Sequence, residues 1–201
     1  MAGGEVGGAE AFFVRLAGSL SHAGVNQRIV IRRHDARAAA LREVGLDPVE
    51  LAFGGPLDRA TKRRLTAEIQ AFSPEIILSW MNRASRSCVR ARRDREAVHI
   101  GRLGGYYKLK HYGRCDHLIG NTRGIVDNLV DQGWPAERAH YLPNFVAAER
   151  AEPASRAALE TPEDAPLLLA LGRLHDNKGF DVLIEAMTEL PGAWLWLAGS
   201  G

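Results

Sequence analysis

The stretch Leu167-Leu168-Leu169-Ala170-Leu171-Gly172-Arg173-Leu174-His175-Asp176-Asn177-Lys178-Gly179-Phe180 sets an unbroken apolar run against a polar turn bounded by two glycines. An apolar run without alternation suits a strand buried on both faces, the condition of a parallel sheet. Phe180 to Leu190 then reads as a helix and Trp194 to Ala198 as a second apolar strand, giving the order strand, helix, strand. In the turn, Gly172 lets a ligand approach the backbone and the helix start that follows offers unpaired N–H groups. Arg173 and Lys178 add two positive charges at the same strand end, which suits a diphosphate. It is not a Walker loop, because Gly179 rather than Ser or Thr follows Lys178 and the glycine spacing fails. On spacing alone, an ordinary strand-to-helix turn with two surface cations is the competing reading.

Upstream the same alternation recurs. Ala9 to Ala23 is predicted helical, with Phe12, Leu16 and Leu20 repeating at intervals of four and Gly24 at the stop. Arg28–Ile31 reads as strand, Arg37–Val44 as helix, Val49–Phe53 as strand, and Arg59–Phe72 as helix after an Asp58 cap. Past the Ser73-Pro74 break come a strand at Ile76–Leu78, a helix at Ala84–Glu96, and strands at Ala97–Gly101 and His117–Gly120. A helix capped by Asn121 or Thr122 follows, with Ile125, Val126, Leu129 and Val130 as one stripe. Alternation with turns this short predicts a mainly parallel, doubly wound α/β fold. The glycine run Gly3-Gly4-Glu5-Val6-Gly7-Gly8 stands where a loop follows a buried strand, so that strand is expected to be missing. The expected domains are residues 1–146, a linker over 147–165 with Pro153 and Pro162, and an incomplete second domain over 166–201.

Composition, 46% hydrophobic and 25% charged, is that of a soluble globular chain. Cys88 and Cys115 form no metal-ligand spacing and the opening residues no signal peptide, which points to the cytoplasm. No apolar run is long enough for a membrane helix, so any membrane association is expected to be peripheral. Met81 to Arg114 carries ten Lys and Arg against Asp94 and Glu96, a net +8 in a chain of formal charge +2, which leaves −6 elsewhere. That asymmetry suggests an anionic partner such as a membrane surface or a nucleotide, or else a solvated helix face through Arg83, Arg86, Arg90 and Arg93. No nucleic-acid-binding motif is present and no nucleic-acid partner is expected.

Ala170 to His175 together with Lys178 to Ala186 resembles the donor-domain opening of family-4 retaining glycosyltransferases. Gly7-Gly8-Ala9-Glu10 resembles the glycine loop of their first domain. Cys115 to Thr122, leading to His140-Tyr141-Leu142-Pro143-Asn144-Phe145-Val146, resembles that domain's last strand-helix-strand and its exit to the hinge. The resemblance implies a GT-B architecture of two Rossmann-like domains, here a first domain plus the opening β-α-β unit of a second. It also implies a nucleotide-sugar donor, a glycan or lipid-linked acceptor such as a lipopolysaccharide core, and transfer of a hexose or related sugar with retention.

By the same resemblance Arg173 and Lys178 are catalytic, and with Gly7, Gly8 and Gly172 they bind the donor diphosphate in place of a metal ion; no cofactor is expected, and no Asp-x-Asp is present. The family's paired glutamates lie beyond Gly201. The family's frequent histidine after a middle strand is replaced by the loop Arg102-Leu103-Gly104-Gly105-Tyr106-Tyr107, and neither His99 nor His111 is assigned its role. In Arg102 to Tyr112 aromatic faces suit sugar rings and cations suit phosphate, as in a lipid-linked glycan or lipopolysaccharide core, making Arg102, Tyr106 and Lys108 acceptor-side candidates, unless this is a helix packing its tyrosines inward. The alternatives are a non-catalytic fragment or binding module, and a GT-B sugar-nucleotide epimerase.

Overall fold

The computed structural model describes residues 1–4, 7–55, 57–91, 97–146 and 151–201, with backbone only at 89–91. The chain divides into two compact units, Met1–Ala147 and Ala148–Gly201.

In the first unit the order is α1 (Gly8–His22), β1 (Val30–Arg32), α2 (Asp35–Glu43), β2 (Val49–Leu51), α3 (Arg59–Phe72), β3 (Ile76–Trp80), α4 (Met81–Ala91), β4 (Val98–Leu103), β5 (His117–Gly120), α5 (Arg123–Asp131) and β6 (Ala139–Tyr141). Every strand pair is parallel, β1 with β2 and β3-β4-β5-β6 in sequential order. Helices return the chain between most of these strands, which is what parallel pairing demands.

Local chemistry sets several boundaries. His34 caps α2 by accepting from Arg37 N–H at 3.2 Å, so this helix starts before the expected Arg37. Asp58 caps α3 through Thr61 N–H at 2.9 Å. Thr122, not Asn121, caps α5, accepting from Ile125 N–H at 3.2 Å. The helix expected over Ala84–Glu96 begins at Met81, and its expected end at 92–96 lies outside the described residues. β4 runs two residues past the expected Gly101, because Arg102 and Leu103 stay in register with β5.

Ahead of the glycine run no strand is assigned over residues 1–4, but Met1 bonds to β1. Its ammonium donates to Val30 O at 2.8 Å and its carbonyl accepts from Arg32 N–H at 2.8 Å, so it lies beside β1 as a strand residue would. Met1 joins Phe12, Phe13, Ile31, Leu41 and Trp80 in one core cluster, and Ala2 joins Leu51, Leu65, Ile77 and Ala84 in another. A third cluster holds Leu103, Tyr112, Leu118, Ile125, Leu129 and Trp134. α1 buries its Phe12, Phe13 and Ala17 face, with Leu20 only half-buried.

In the second unit β7 (Leu167–Leu171) and β8 (Trp194–Ala198) pair in parallel around α6 (Phe180–Ala186). The helix expected to reach Leu190 tightens into a 3₁₀ turn over Met187–Glu189. Their unbroken apolar pattern belongs in a sheet covered on both faces, which one helix cannot supply; accordingly none of their residues is buried, and Leu171 is 71% exposed. One helix on two strands covers too little of them. The latter part of the expected linker folds with this unit: Trp196 Nε1–H donates to Thr161 Oγ1 at 2.9 Å, and Arg156 donates to Pro162 O and Ala165 O.

Candidate functional site

At the C-terminal ends of β3, β4 and β5 a cleft is lined by Ala9, Trp80, Met81, Arg102, Leu103, Gly104, Asn121 and Asn144. Openings of α/β sheets at these strand ends are where ligands characteristically bind. Three helices begin here. Ala9 lies in the first turn of α1, Met81 is the first residue of α4, and Asn121 stands just before the cap of α5. Their N-terminal dipoles make the cleft favourable to negative charge. Met81 follows β3 with no loop residue between and holds a left-handed φ of +65°, a conformation costing a side-chain-bearing residue roughly 1 kcal/mol or more.

Arg102 dominates the cleft. It is 3% exposed, with its guanidinium carbon 4.8 Å from the Phe12 ring centroid and 5.1 Å from that of Trp80. Nη2 donates to Asn144 Oδ1 at 2.7 Å and to Leu142 O at 3.2 Å, which fastens the segment after β6. Arg15 adds a bond from Nη1 to Phe145 O at 2.8 Å. Nη1 of Arg102 is buried without a partner, as is Oδ1 of Asn121. Burial lowers the Arg102 pKa from its usual value, and among the described residues no carboxylate is paired with it.

The other acceptor-side candidates stand apart from this cleft. Tyr106 is 70% exposed, its hydroxyl over the start of α5 where a Cβ on Gly124 would meet it at 2.8 Å. Lys108 is exposed at the start of a 3₁₀ turn, Leu109–His111. Tyr107 and Tyr112 pack inward, Tyr112 completely. Arg102 is therefore a strand residue and not the loop residue expected, and of the three candidates only it lines the cleft. Sequence reading missed Trp80, Met81 and Asn144; a signal for the first two is a strand passing directly into a helix at Trp80-Met81.

Gly7 precedes α1 and Gly8 opens it. A Cβ on Gly7 would sit 2.6 Å from Glu10 Oε2, whereas one on Gly8 would meet nothing within 4 Å. The Gly4 N–H donates to Glu10 Oε1 at 2.9 Å and Arg37 Nη2 donates to Gly4 O at 2.5 Å. The glycine run is thus shaped partly by the buried Glu10 carboxylate, while Gly8 leaves the helix start open.

In the second unit Arg173 and Lys178 follow β7, both exposed and, among the described residues, paired with no carboxylate. The ladder continues past the strands through Gly172 N–H to Ala198 O at 3.0 Å and Leu174 N–H to Ser200 O at 2.9 Å. The two segments run so close that a Cβ on Gly199 would lie 1.7 Å from Gly172 O. Asp176–Lys178 forms a 3₁₀ turn capped by His175, and Gly179 at φ +62° turns the chain into α6.

His99 is fully buried, its Nε2 2.8 Å from Ser79 Oγ, which is 2.9 Å from Ser85 Oγ. It is a core residue. Cys88 and Cys115 are free and buried, and burial pushes the Cys88 thiol up to about 11. Among the described residues no cluster of three His, Cys, Asp or Glu could hold a metal, and no helix is long and apolar enough to cross a membrane.

The sequence model of Glycosyltransferase Family 4 matches residues 6–150. The lipopolysaccharide core biosynthesis glycosyltransferase LpsE of Rhizobium meliloti (strain 1021) is 36% identical over 210 residues, covering 98% of this chain, which spans 58% of LpsE. The crystal structure of a glycosyltransferase from Rickettsia africae ESF-5 superposes with a TM-score of 0.82 at 15% identity, over 99% of this chain and 59% of its own. Anabaena HepE, crystallised with UDP-glucose, gives 0.79 at 16% identity, over 100% of this chain and 59% of its own. These likenesses give the chain the GT-B glycosyltransferase fold.

Proposed function

The chain belongs to Glycosyltransferase Family 4, and from that premise we propose that it serves a glycosyltransferase of lipopolysaccharide core or related surface-glycan synthesis. The reaction moves a hexose-type sugar from a nucleotide-sugar donor to a glycan or lipid-linked acceptor, with retention. The observation that carries this reading is the pair Arg173 and Lys178, exposed and unpaired with any described carboxylate on the turn after β7. As the bond from sugar to phosphate breaks, negative charge grows on the leaving diphosphate and the sugar becomes oxocarbenium-like. Fixed cations and helix-start N–H groups stabilise that charge, so no metal ion is needed. Gly172 gives the diphosphate room at the backbone. The complex of HepE with UDP-glucose supports a nucleotide-sugar donor by analogy of fold.

Arg83, Arg86, Lys108, Lys110 and Arg114 are exposed and form no ion pair among the described residues. The Tyr112 hydroxyl donates to Asn82 Oδ1, tying α4 to the turn that carries Lys110. His111 is held below its usual pKa by burial, Lys110 and Arg86. This cationic surface is the contact with an anionic membrane on the cytoplasmic face, where lipid-linked acceptors present their sugars. Arg92, Arg93 and Arg95 lie outside the described residues.

The test is a transfer assay on the full gene product that carries this chain, with a nucleotide sugar and lipopolysaccharide core as acceptor. Arg173→Ala or Lys178→Ala should each lower turnover on the order of 10²-fold. Full turnover by both variants at saturating donor overturns the diphosphate assignment. Release of nucleoside diphosphate that requires acceptor separates transfer from epimerisation.

A further inference from the structure

His117 and His140 meet on the face of the sheet opposite Leu118. Parallel pairing sets Leu118 beside Ala139 and Ile119 beside His140. Alternation along a strand turns Leu118 inward, where it is fully buried with Ile125 and Leu129, and turns His117, Ile119 and His140 to the other face. There His117 Nδ1 lies 3.0 Å from His140 Nε2, with ring centroids 5.1 Å apart and the ring planes tilted by 40°. His117 is half-buried and His140 exposed, so solvent reaches the pair. As a hydrogen bond alone the contact stabilises little, because water competes for both nitrogens. As a chelate it is well spaced: metal–nitrogen bonds of roughly 2.0–2.1 Å, set at right to tetrahedral angles, put two ligating nitrogens roughly 2.9–3.4 Å apart. Turning both nitrogens to one ion needs only a change of tautomer. The facing nitrogen that carries a proton passes it to the other nitrogen of its own ring, and the imidazole ligates while staying neutral.

We infer that His117 Nδ1 and His140 Nε2 form a cross-strand site for a borderline divalent transition metal, Zn²⁺, Ni²⁺ or Cu²⁺. Imidazole nitrogens select these ions over Mg²⁺ and Ca²⁺, which take oxygen ligands. Among the described residues no third His, Cys, Asp or Glu completes the set, so water takes the remaining positions and the site is open. β6 is three residues long and pairs only with β5 among the described strands, so a metal bridge fastens the last strand of the first unit to its neighbour. The ion stands apart from the cleft: His117 opens β5, and Asn121, which lines the cleft, comes just after its last residue, roughly 13 Å along the strand. The site therefore serves strand pairing and needs no part of the transferase reading, whose charge stabilisation rests on other residues.

The experiment is calorimetric titration of the full gene product that carries this chain, prepared without a histidine tag, with nickel, zinc and magnesium chloride, beside His117→Gln and His140→Gln. Nickel and zinc should bind and magnesium should not. Both substitutions keep a polar side chain on an accessible face, so both variants should fold. Each should weaken nickel binding by about 10-fold or more, since even a lost supporting contact around a metal ligand has that effect. Copper(II) gives a second reading that a merely structural role would not move: its electron paramagnetic resonance should show splitting from two imidazole nitrogens in the natural protein and from one in either variant. Nickel affinity and two-nitrogen splitting that persist unchanged in both variants place the metal elsewhere and overturn the site. Magnesium binding as tight as nickel overturns it too, because imidazole ligands cannot produce that preference. Neither result touches the assignment of Arg173 and Lys178, which the transfer assay decides separately.

Discussion

Trp80 and Arg102 are register partners on the parallel strands β3 and β4, and the guanidinium carbon lies 5.1 Å from the Trp80 ring centroid. Trp80 also meets Phe12 at 5.9 Å and Phe13 at 5.2 Å between ring centroids, so it belongs both to the core and to the wall of the cleft. Replacing Trp80 with alanine should cost about 3–5 kcal/mol of stability and release one face of Arg102. Urea unfolding followed by circular dichroism reads this directly, and an unchanged midpoint would show that the cluster does not pack as described.

Asp58 accepts from Gly54 N–H at 2.8 Å, Thr61 N–H at 2.9 Å and the Thr61 hydroxyl at 2.5 Å. The Thr61 hydroxyl and the amide bonds hold its carboxyl below the usual pKa. A depressed folded-state pKa means stabilisation is fully present above the unfolded carboxylate pKa and is lost as pH falls through the lower folded value. Asp58→Ala should therefore destabilise the first unit at pH 7, and its difference from the natural protein should shrink as acid protonates Asp58. Parallel unfolding curves at neutral and acid pH with a constant difference would exclude this cap.

Hydrogen exchange should divide the two units. Each strand of the second unit has one partner and no buried residue, whereas in β3 Ile77 and Trp80 are buried and β4, its partner, is itself paired with β5. Amides of Leu168 to Leu171 and Leu195 to Ala198 should exchange far faster than those of Ile76 to Leu78. Equal protection would mean that the second unit's strands are covered in solution.

Vesicle binding tests the cationic surface. Binding to anionic vesicles should fall steeply between low and physiological salt, because exposed charges are screened within about 10 Å at 0.1 M ionic strength. Reversing Arg86 and Lys110 to glutamate should remove most of it. Identical binding to neutral and anionic vesicles would rule out the electrostatic contact.

The order of elements is legible in the residues, because apolar runs, helical periodicity and turn residues are local properties. Leu167 to Leu171 read as strand and is strand; Asp58 read as a cap and caps α3. The sequence also exposed the positions of Arg173 and Lys178, since both flank one turn. What it left out follows from the same locality. Asn121 and Thr122 were equal candidates to cap α5, and only the approach of Ile125 N–H to Thr122 freed Asn121 for the cleft. Arg102 read as a loop cation among tyrosines. Its partners Phe12, Trp80, Leu142 and Asn144 come from α1, β3 and the segment after β6, brought together by parallel strand order. A buried charge is defined by what surrounds it, so the tertiary structure alone decided that this arginine lacks a counter-charge.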